Sequence, residues 1–354
     1  MITSMHIENF KCFKEFDIEL GPFNVLIGPN DTGKTAFLQA IRLGGALGSV
    51  IGSGYAHSDI ERRAGFKSGT ECVWRNVASA SVLVSFGASP SAQEPPEDNK
   101  LELILRGGIL DQPVTLKTKD GSTLPSGNAK EWYTRNLVSI CYFRLDPKAL
   151  RKPCPLGQRM DEIGEGFPAF LDSINRESRK VFFELESRFY ERFPYYRQLT
   201  LPDKELPGGG RGLSVSFQTV KGETLGAESV SDGVMFSLAF IAIAHQPRPP
   251  QVLLIEEPET GVHHASLKEI VRTLKHLSDD KGVQVILTTH SPYLLDHVEP
   301  EEVFVFSKGE DGAVRAKKFS DHPDVETLRK HFKTGELWTG FDEKDIVEGK
   351  GKFE

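Results

Sequence analysis

The chain has 354 residues, enough for two domains or one α/β domain with insertions, and 38% hydrophobic residues supply material for a sizeable core. A net charge of −7 argues against a uniformly basic nucleic-acid sleeve but leaves room for a local basic patch. No apolar run reaches the roughly 18 residues that span a bilayer, and the N-terminus, with Glu8, Lys11, Lys14 and Glu15, lacks the apolar segment of a secretory signal. The cysteines (Cys12, Cys72, Cys141, Cys154) are widely spaced, without a C-x-x-C pair, which suits reduced thiols in a cytoplasm.

In chain order, two alternating runs over residues 4–10 and 15–20 predict an antiparallel hairpin. A strand over 23–27 leads into Gly28-Pro29-Asn30-Asp31-Thr32-Gly33-Lys34-Thr35, which fits G-x-x-x-x-G-K-[ST]. This phosphate-cradling loop, with Ala36 opening the helix behind it, predicts a nucleoside-triphosphate site. Its backbone N–H groups would face the phosphates, Lys34 would reach the β- and γ-phosphates, and Thr35 would join a Mg²⁺. The helix is expected to fail at Gly44-Gly45 and to give way to a Gly/Ser-rich loop through Gly54. Arg62, Arg63 and Lys67 are the basic candidates for nucleic acid, although a solvated charged face is the commoner outcome for such a run.

Strands over 72–74, 81–86, 101–105 and 114–116 predict an antiparallel β region, broken by a Pro- and acid-rich loop over 91–100. Residues 138–143 read as a buried strand with Arg144 at its end. Residues 165–193 read as helix, with Phe182, Leu185, Phe189 and Phe193 forming a core stripe too short for a coiled coil. A turn over 208–212 precedes a strand over 213–220.

Ser231-Asp232-Gly233 opens a helix and offers a hydroxyl, N–H groups and a dipole to an anion, a pattern that an ordinary helix cap also produces. The aliphatic run 252–255 predicts a strand buried on both faces, ending in Glu256-Glu257-Pro258-Glu259. Clustered carboxylates at a strand end need a cation or proton among them. Glu256 would hold Mg²⁺ through water, and Glu257 would polarise the attacking water. A second buried strand over 283–288 ends in Thr289-His290-Ser291-Pro292, which puts His290 at the end of a core strand, where open α/β sheets bind ligands. The tail reads as a hairpin (303–306 with 313–319) and a helix.

These motifs, in this order, resemble an ABC-type ATPase head of the RecF/SMC/OLD-like branch. Ile7-Glu8-Asn9-Phe10-Lys11 and Pro258-Glu259-Thr260-Gly261-Val262-His263 are also similar to that branch, strongly over residues 1–43 and 228–308. The resemblance implies an α/β P-loop core sheet with an antiparallel β subdomain and a helical insertion, and no long coiled coil. The expected division is an N-terminal lobe (1–69), an insertion region (70–227), a C-terminal lobe (228–308) and a tail (309–354). It also implies a homodimer in which each ATP lies between one copy's loop and the other's Ser231 and Gly233. Departures are Glu256 where many relatives have Asp, and His264 in place of the usual Pro. For the Q-loop glutamine, Gln158 is the nearby candidate and Arg144 the better-placed strand end.

The resemblance implies an ATP-hydrolysing, nucleotide-gated switch in the cytoplasm, acting on DNA or RNA or on a nuclease or toxin supplied in trans, in phage defence or DNA repair. The stretch after Phe306 is expected to be too short for the nuclease (Toprim) domain that OLD proteins carry. The alternatives are the ATPase subunit of a membrane transporter and an ATP-binding scaffold without turnover.

Overall fold

The computed structural model describes residues 1–48, 81–88, 100–106, 139–206 and 208–349. The expectations for residues 49–80, 91–99 and 114–116, with Arg62, Arg63, Lys67 and Cys72, lie outside the described residues. The chain forms two compact units. One comprises Met1–Cys141, Pro250–Leu254 and Gly282–Glu354, the other Tyr142–Pro249 and Ile255–Lys281.

In the first unit, strands β1 (Ile2–Phe10) and β2 (Phe13–Glu19) pair antiparallel from Ser4↔Glu19 to Phe10↔Phe13. Alternation decides their faces: Phe13, Phe16 and Ile18 are buried, while Lys14, Glu15, Asp17 and Glu19 face water. Asn9 (φ 54°) and Lys11 (φ 49°) take left-handed conformations to make the tight reversal. Strands β4 (Ser81–Ala88) and β5 (Lys100–Arg106) extend this to a four-stranded antiparallel sheet of order β2-β1-β4-β5. The β region expected from the sequence is thereby found where the chain is described.

Strand β3 (Phe23–Ile27) is buried at every residue and lies inside a six-stranded sheet. Its partners are β6 (Ile140–Phe143), β12 (Val252–Glu256), β13 (Gln284–Thr289), β14 (Val303–Lys308) and β15 (Val314–Lys318). The order is β15-β14-β3-β13-β12-β6, with β3 parallel to both β13 and β14. Strands β12 and β13 are wholly buried, β12 around its aliphatic run 252–255 and β13 around Val285-Ile286-Leu287. Strand β6 is an edge strand with three half-buried residues, which corrects the expectation of a buried one.

Helix α1 (Lys34–Gly48) follows β3 and runs straight through Gly44-Gly45. The expected break is overridden by packing. A Cβ on Gly44 would lie 2.6 Å from the buried Phe86 ring of β4, so the glycine lets helix and sheet close on each other. Phe16, Phe37 and Phe306 stand 5.7–5.9 Å apart, and Phe13 joins Phe16 at 4.6 Å, tying hairpin, helix and β14 together. Buried Gln284 accepts from the N–H of Ile2 at 2.8 Å and donates to the carbonyls of Ile2 and Gly21 at 2.7 and 2.8 Å. Its polar atoms thus link two sheets without a desolvation penalty.

The second unit is helical with small sheets. Helix α2 (Pro147–Leu150) comes first, then α3 (Phe167–Glu177) and α4 (Arg179–Arg192), which are separate because Ser178 is extended and caps α4 through Val181 N–H. The predicted stripe holds, with Phe182, Leu185 and Phe189 buried and Phe193 half-buried at the cap. Phe189 stacks on Phe217 at 5.6 Å, fastening α4 to the sheet β11-β10-β7 made by β7 (Tyr196–Thr200), β10 (Ser216–Thr219) and β11 (Thr224–Gly226). A small ladder joins β8 (Asp203–Glu205) to β9 (Arg211–Leu213). Helix α5 (Asp232–His245) is buried from Val234 to Ala244, as an all-round apolar helix must be, and packs against α4 and α6 (His264–Lys281). Short helices α7 (Pro292–Leu295), α8 (Val325–Leu328), α9 (Thr334–Gly340) and α10 (Glu343–Glu348) complete the first unit.

Candidate nucleotide site

The loop over residues 28–35 joins β3 to α1, as its sequence requires. Gly28 (φ 150°) has no room for a side chain, since a Cβ would sit 2.2 Å from the carbonyl oxygen of Phe306. Gly33 (φ 86°) is equally constrained, with Cys12 Sγ 2.7 Å from its notional Cβ. Asp31 (φ 63°) carries the remaining left-handed turn, and its carboxylate accepts from Lys308 Nζ at 2.5 Å. Both groups face water, so this pair orients the loop but holds it weakly.

Lys34 is 6% exposed, and its ammonium donates to the carbonyls of Gly28 and Pro29, each at 2.7 Å. A buried cation needs such partners, and the loop supplies them itself. Thr32 donates to the Pro29 carbonyl at 2.8 Å. Asn30 and Thr35 are exposed, and Ala36 is half-buried in the first turn of α1. Burial raises the Cys12 thiol to about 11, so this sulfur beneath Gly33 is a packing group at neutral pH.

The register Thr289↔Ile27 sets the ends of β13 and β3 level. His290 and Gly28 therefore leave the sheet at the same edge, His290 half-buried there. Strand β12, next to β13, ends in Glu256, which is 5% exposed and accepts a hydrogen bond from the Tyr142 hydroxyl of β6. The next residue, Glu257, has φ 47°, a strained conformation for a side chain of this type. Its carbonyl accepts from Thr260 N–H at 3.0 Å, and its half-buried carboxylate lies 3.5 Å from the Thr260 hydroxyl. His263 and His264 lie with ring centres 4.1 Å apart at the start of α6.

Ser231 is the N-cap of α5, exposed and extended (φ −68°, ψ 158°), but its hydroxyl makes no cap hydrogen bond. The reading as an ordinary side-chain cap therefore fails. Around Gly233, no atom lies within 4 Å of a notional Cβ, so the described chain puts no steric demand for glycine there.

Three residues near these motifs were missed in the sequence: Tyr142 at Glu256, Lys308 at Asp31, and Arg151, which bonds the segment before α5. Lys308, the last residue of a strand beside the loop's own strand, was the most legible of them. Arg144 is exposed at the end of β6, and Gln158 sits in a turn with its N–H 3.3 Å from the Pro155 carbonyl. A cleft of about 270 Å³ within the second unit is lined by α4, α5 and α6, including Arg188, Ser237, Phe240 and Arg272; none of the predicted site residues borders it.

No cluster of three His, Cys, Asp or Glu able to hold a metal occurs among the described residues. The donor set fits Mg²⁺ brought with a nucleotide, because that ion keeps several waters and takes one or two protein groups besides phosphate.

Residues 145–296 match the family described as "AAA domain, putative AbiEii toxin, Type IV TA system", and residues 1–43 match "AAA ATPase domain". The chain is similar to an OLD nuclease from Thermus scotoductus, 23% identical over 382 residues that cover 95% of this chain and 68% of the nuclease. A stretch of 60 residues, 17% of this chain and 21% of the relative, is 33% identical to the energy-coupling factor transporter ATP-binding protein EcfA1 of Clostridium novyi. Among solved structures, an SMC head bound to the C-winged helix domain of ScpA shares the fold, with a TM-score of 0.58 and 16% identity over 89% of this chain and 97% of that one. Fold, motif order and relatives together support an ABC-type ATPase head like those of the OLD/SMC group.

Proposed function

We propose that this protein is an ATP-hydrolysing switch in which two copies close head to tail on two ATP molecules. In this reading residues 30–36 hold the triphosphate, Lys34 neutralises charge on the β- and γ-phosphates, and His290 contacts the γ-phosphate. Thr35 and Glu256 would hold Mg²⁺, which when bound would supply neutralising charge to the phosphates. Glu257 orients and polarises the attacking water, and the partner copy's signature segment closes the site through its serine hydroxyl and the N–H groups at its glycine.

The observation that carries the reading is the start of α5. The Ser231 hydroxyl is not spent on capping its own helix, and Gly233 keeps a surface bare that nothing in the described chain crowds. A phosphate delivered by a second copy explains both, since a helix N-terminus with a spare hydroxyl suits an anion. The strained Glu257 backbone supports its role, because such conformations cluster at active sites.

The closed dimer acts on nucleic acid or on an effector in trans, in phage defence or DNA repair; the OLD nuclease relative and the toxin-named family support this setting. Glu257→Gln tests the engine. It should keep ATP and Mg²⁺ affinity, lose turnover by at least about 10²-fold as expected for one preorganised group, and double in mass with ATP by light scattering. A persistent monomer at saturating ATP would sink the head-to-tail reading, and turnover within about twofold of the parent would remove Glu257 from the chemistry.

A further inference from the structure

Arg151, just after α2, spreads its guanidinium over the chain that leads into α5. Nε donates to the Ala227 carbonyl at 2.9 Å, and Nη2 donates to the Val230 carbonyl at 2.9 Å. Nη2 also meets the Asp232 carboxylate at 2.7 Å, and Nη1 turns back to the Pro147 carbonyl at 2.9 Å. The Arg151 side chain is only 15% exposed. Three of these four acceptors lie in residues 227–232, which contain Ser231 and run directly into Gly233.

The start of that segment is held by the Ala227 N–H, which donates to the Val215 carbonyl at 3.0 Å, and by the Lys204–Glu228 pair at 2.6 Å; Arg151 adds the bonds to the end that enters α5. Ala227–Ser229 is a single 3₁₀ turn without a side-chain cap, and Ser231 does not cap α5 either. A planar fork of donors can fix two carbonyls and a carboxylate at once, which a lysine ammonium on a flexible stem cannot. Charge matters too. Asp232 opens α5 beside Ser231, where an unpaired carboxylate would repel an arriving phosphate, and the Arg151 guanidinium balances it.

We propose that Arg151 is the positioning residue of the signature segment: it sets the Ser231 hydroxyl and the N–H groups at Gly233 toward a nucleotide carried by a second copy. This rests on the head-to-tail reading above. Arg151 touches no nucleotide in this account, so its effect is exerted in trans on the partner's ATP.

The test uses the full chain carrying Arg151→Ala or Arg151→Lys, assayed alone and mixed with Lys34→Ala. Alone, each Arg151 variant should bind ATP within about twofold of the parent, lose turnover by about tenfold or more, and stay monomeric with ATP. Mixed with Lys34→Ala, turnover should return in part, because one of the two sites then combines an intact loop with an intact signature. Ser231→Arg mixed with Lys34→Ala is the control. If the control recovers activity and the Arg151 mixtures do not, Arg151 acts within its own subunit and the proposal fails while the dimer stands. If neither recovers, the head-to-tail reading fails with it. Full turnover in Arg151→Lys would show that charge alone suffices and overturn the fork. Should Arg151→Ala not fold, the lysine variant carries each of these comparisons.

Discussion

At the scale of single residues, the candidate site is built from groups whose backbone or burial has been forced. Gly28 and Gly33 admit no side chain, Lys34 is buried against its own loop, and Glu257 holds a left-handed backbone. Glu256 is the most demanding, because a buried carboxylate needs donors, and Tyr142 is one of them. Tyr142→Phe should therefore cost about 1–3 kcal/mol, the penalty of leaving a buried acceptor one hydrogen bond short. Thermal unfolding should show a lower midpoint, and ATP turnover should need more Mg²⁺ to saturate. An unchanged midpoint together with an unchanged Mg²⁺ requirement would reduce the Tyr142 contact to an accident of packing.

Elements show how local rules and packing compete. At the start of α5 a glycine is tolerated at a cost, since alanine in a helix is worth about 0.5–1 kcal/mol more. With nothing within 4 Å of its notional Cβ, Gly233→Ala should leave the monomer as stable or more so. The same change should weaken ATP-dependent dimerisation, seen as a smaller mass shift in light scattering. A variant that dimerises like the parent would show that the bare surface serves no partner.

The hairpin β1–β2 offers a pH test. His6 loses some affinity for its proton through burial, but hydrogen bonds to Glu8 (2.9 Å) and Asp17 (2.8 Å) more than offset this, and its pKa is raised. The stabilisation it contributes is present below the unfolded histidine value of about 6.5 and is lost as pH rises through the higher folded value. Melting midpoints measured between about pH 5.5 and about pH 8.5 should fall more steeply for the parent than for His6→Gln. Parallel curves would assign the slope to other groups.

For the whole molecule, the sheet order β3-β13-β12 places side by side three strands that end in the loop, in His290 and in Glu256. That adjacency joins parts far apart in the chain, in a fold shared with an SMC head. If the closed form engages nucleic acid, DNA affinity of Glu257→Gln with ATP should fall as salt rises, by a slope of about −0.9 per phosphate neutralised. Replacing Arg62 and Arg63 by alanine should flatten that slope. A salt-independent titration would reject the basic patch and leave an effector protein as the target.

Sequence by itself determined the local elements. Fixed spacing in G-x-x-x-x-G-K-[ST], the aliphatic run at 252–255, the largely aliphatic run at 283–288, and alternation in the first twenty residues are short-range signals that name a loop, buried strands and a hairpin without reference to distant chain. Tertiary structure decided what depends on partners far along it. Helix α1 passes through two glycines, at the first of which, Gly44, Phe86 takes the space of a side chain, and β6 becomes an edge strand because β12 is its only neighbour in the described sheet. Arg151 finds Ala227, Val230 and Asp232 across some eighty positions. No local pattern marks an arginine for such a task, because two of these three acceptors are backbone carbonyls, which every residue carries alike.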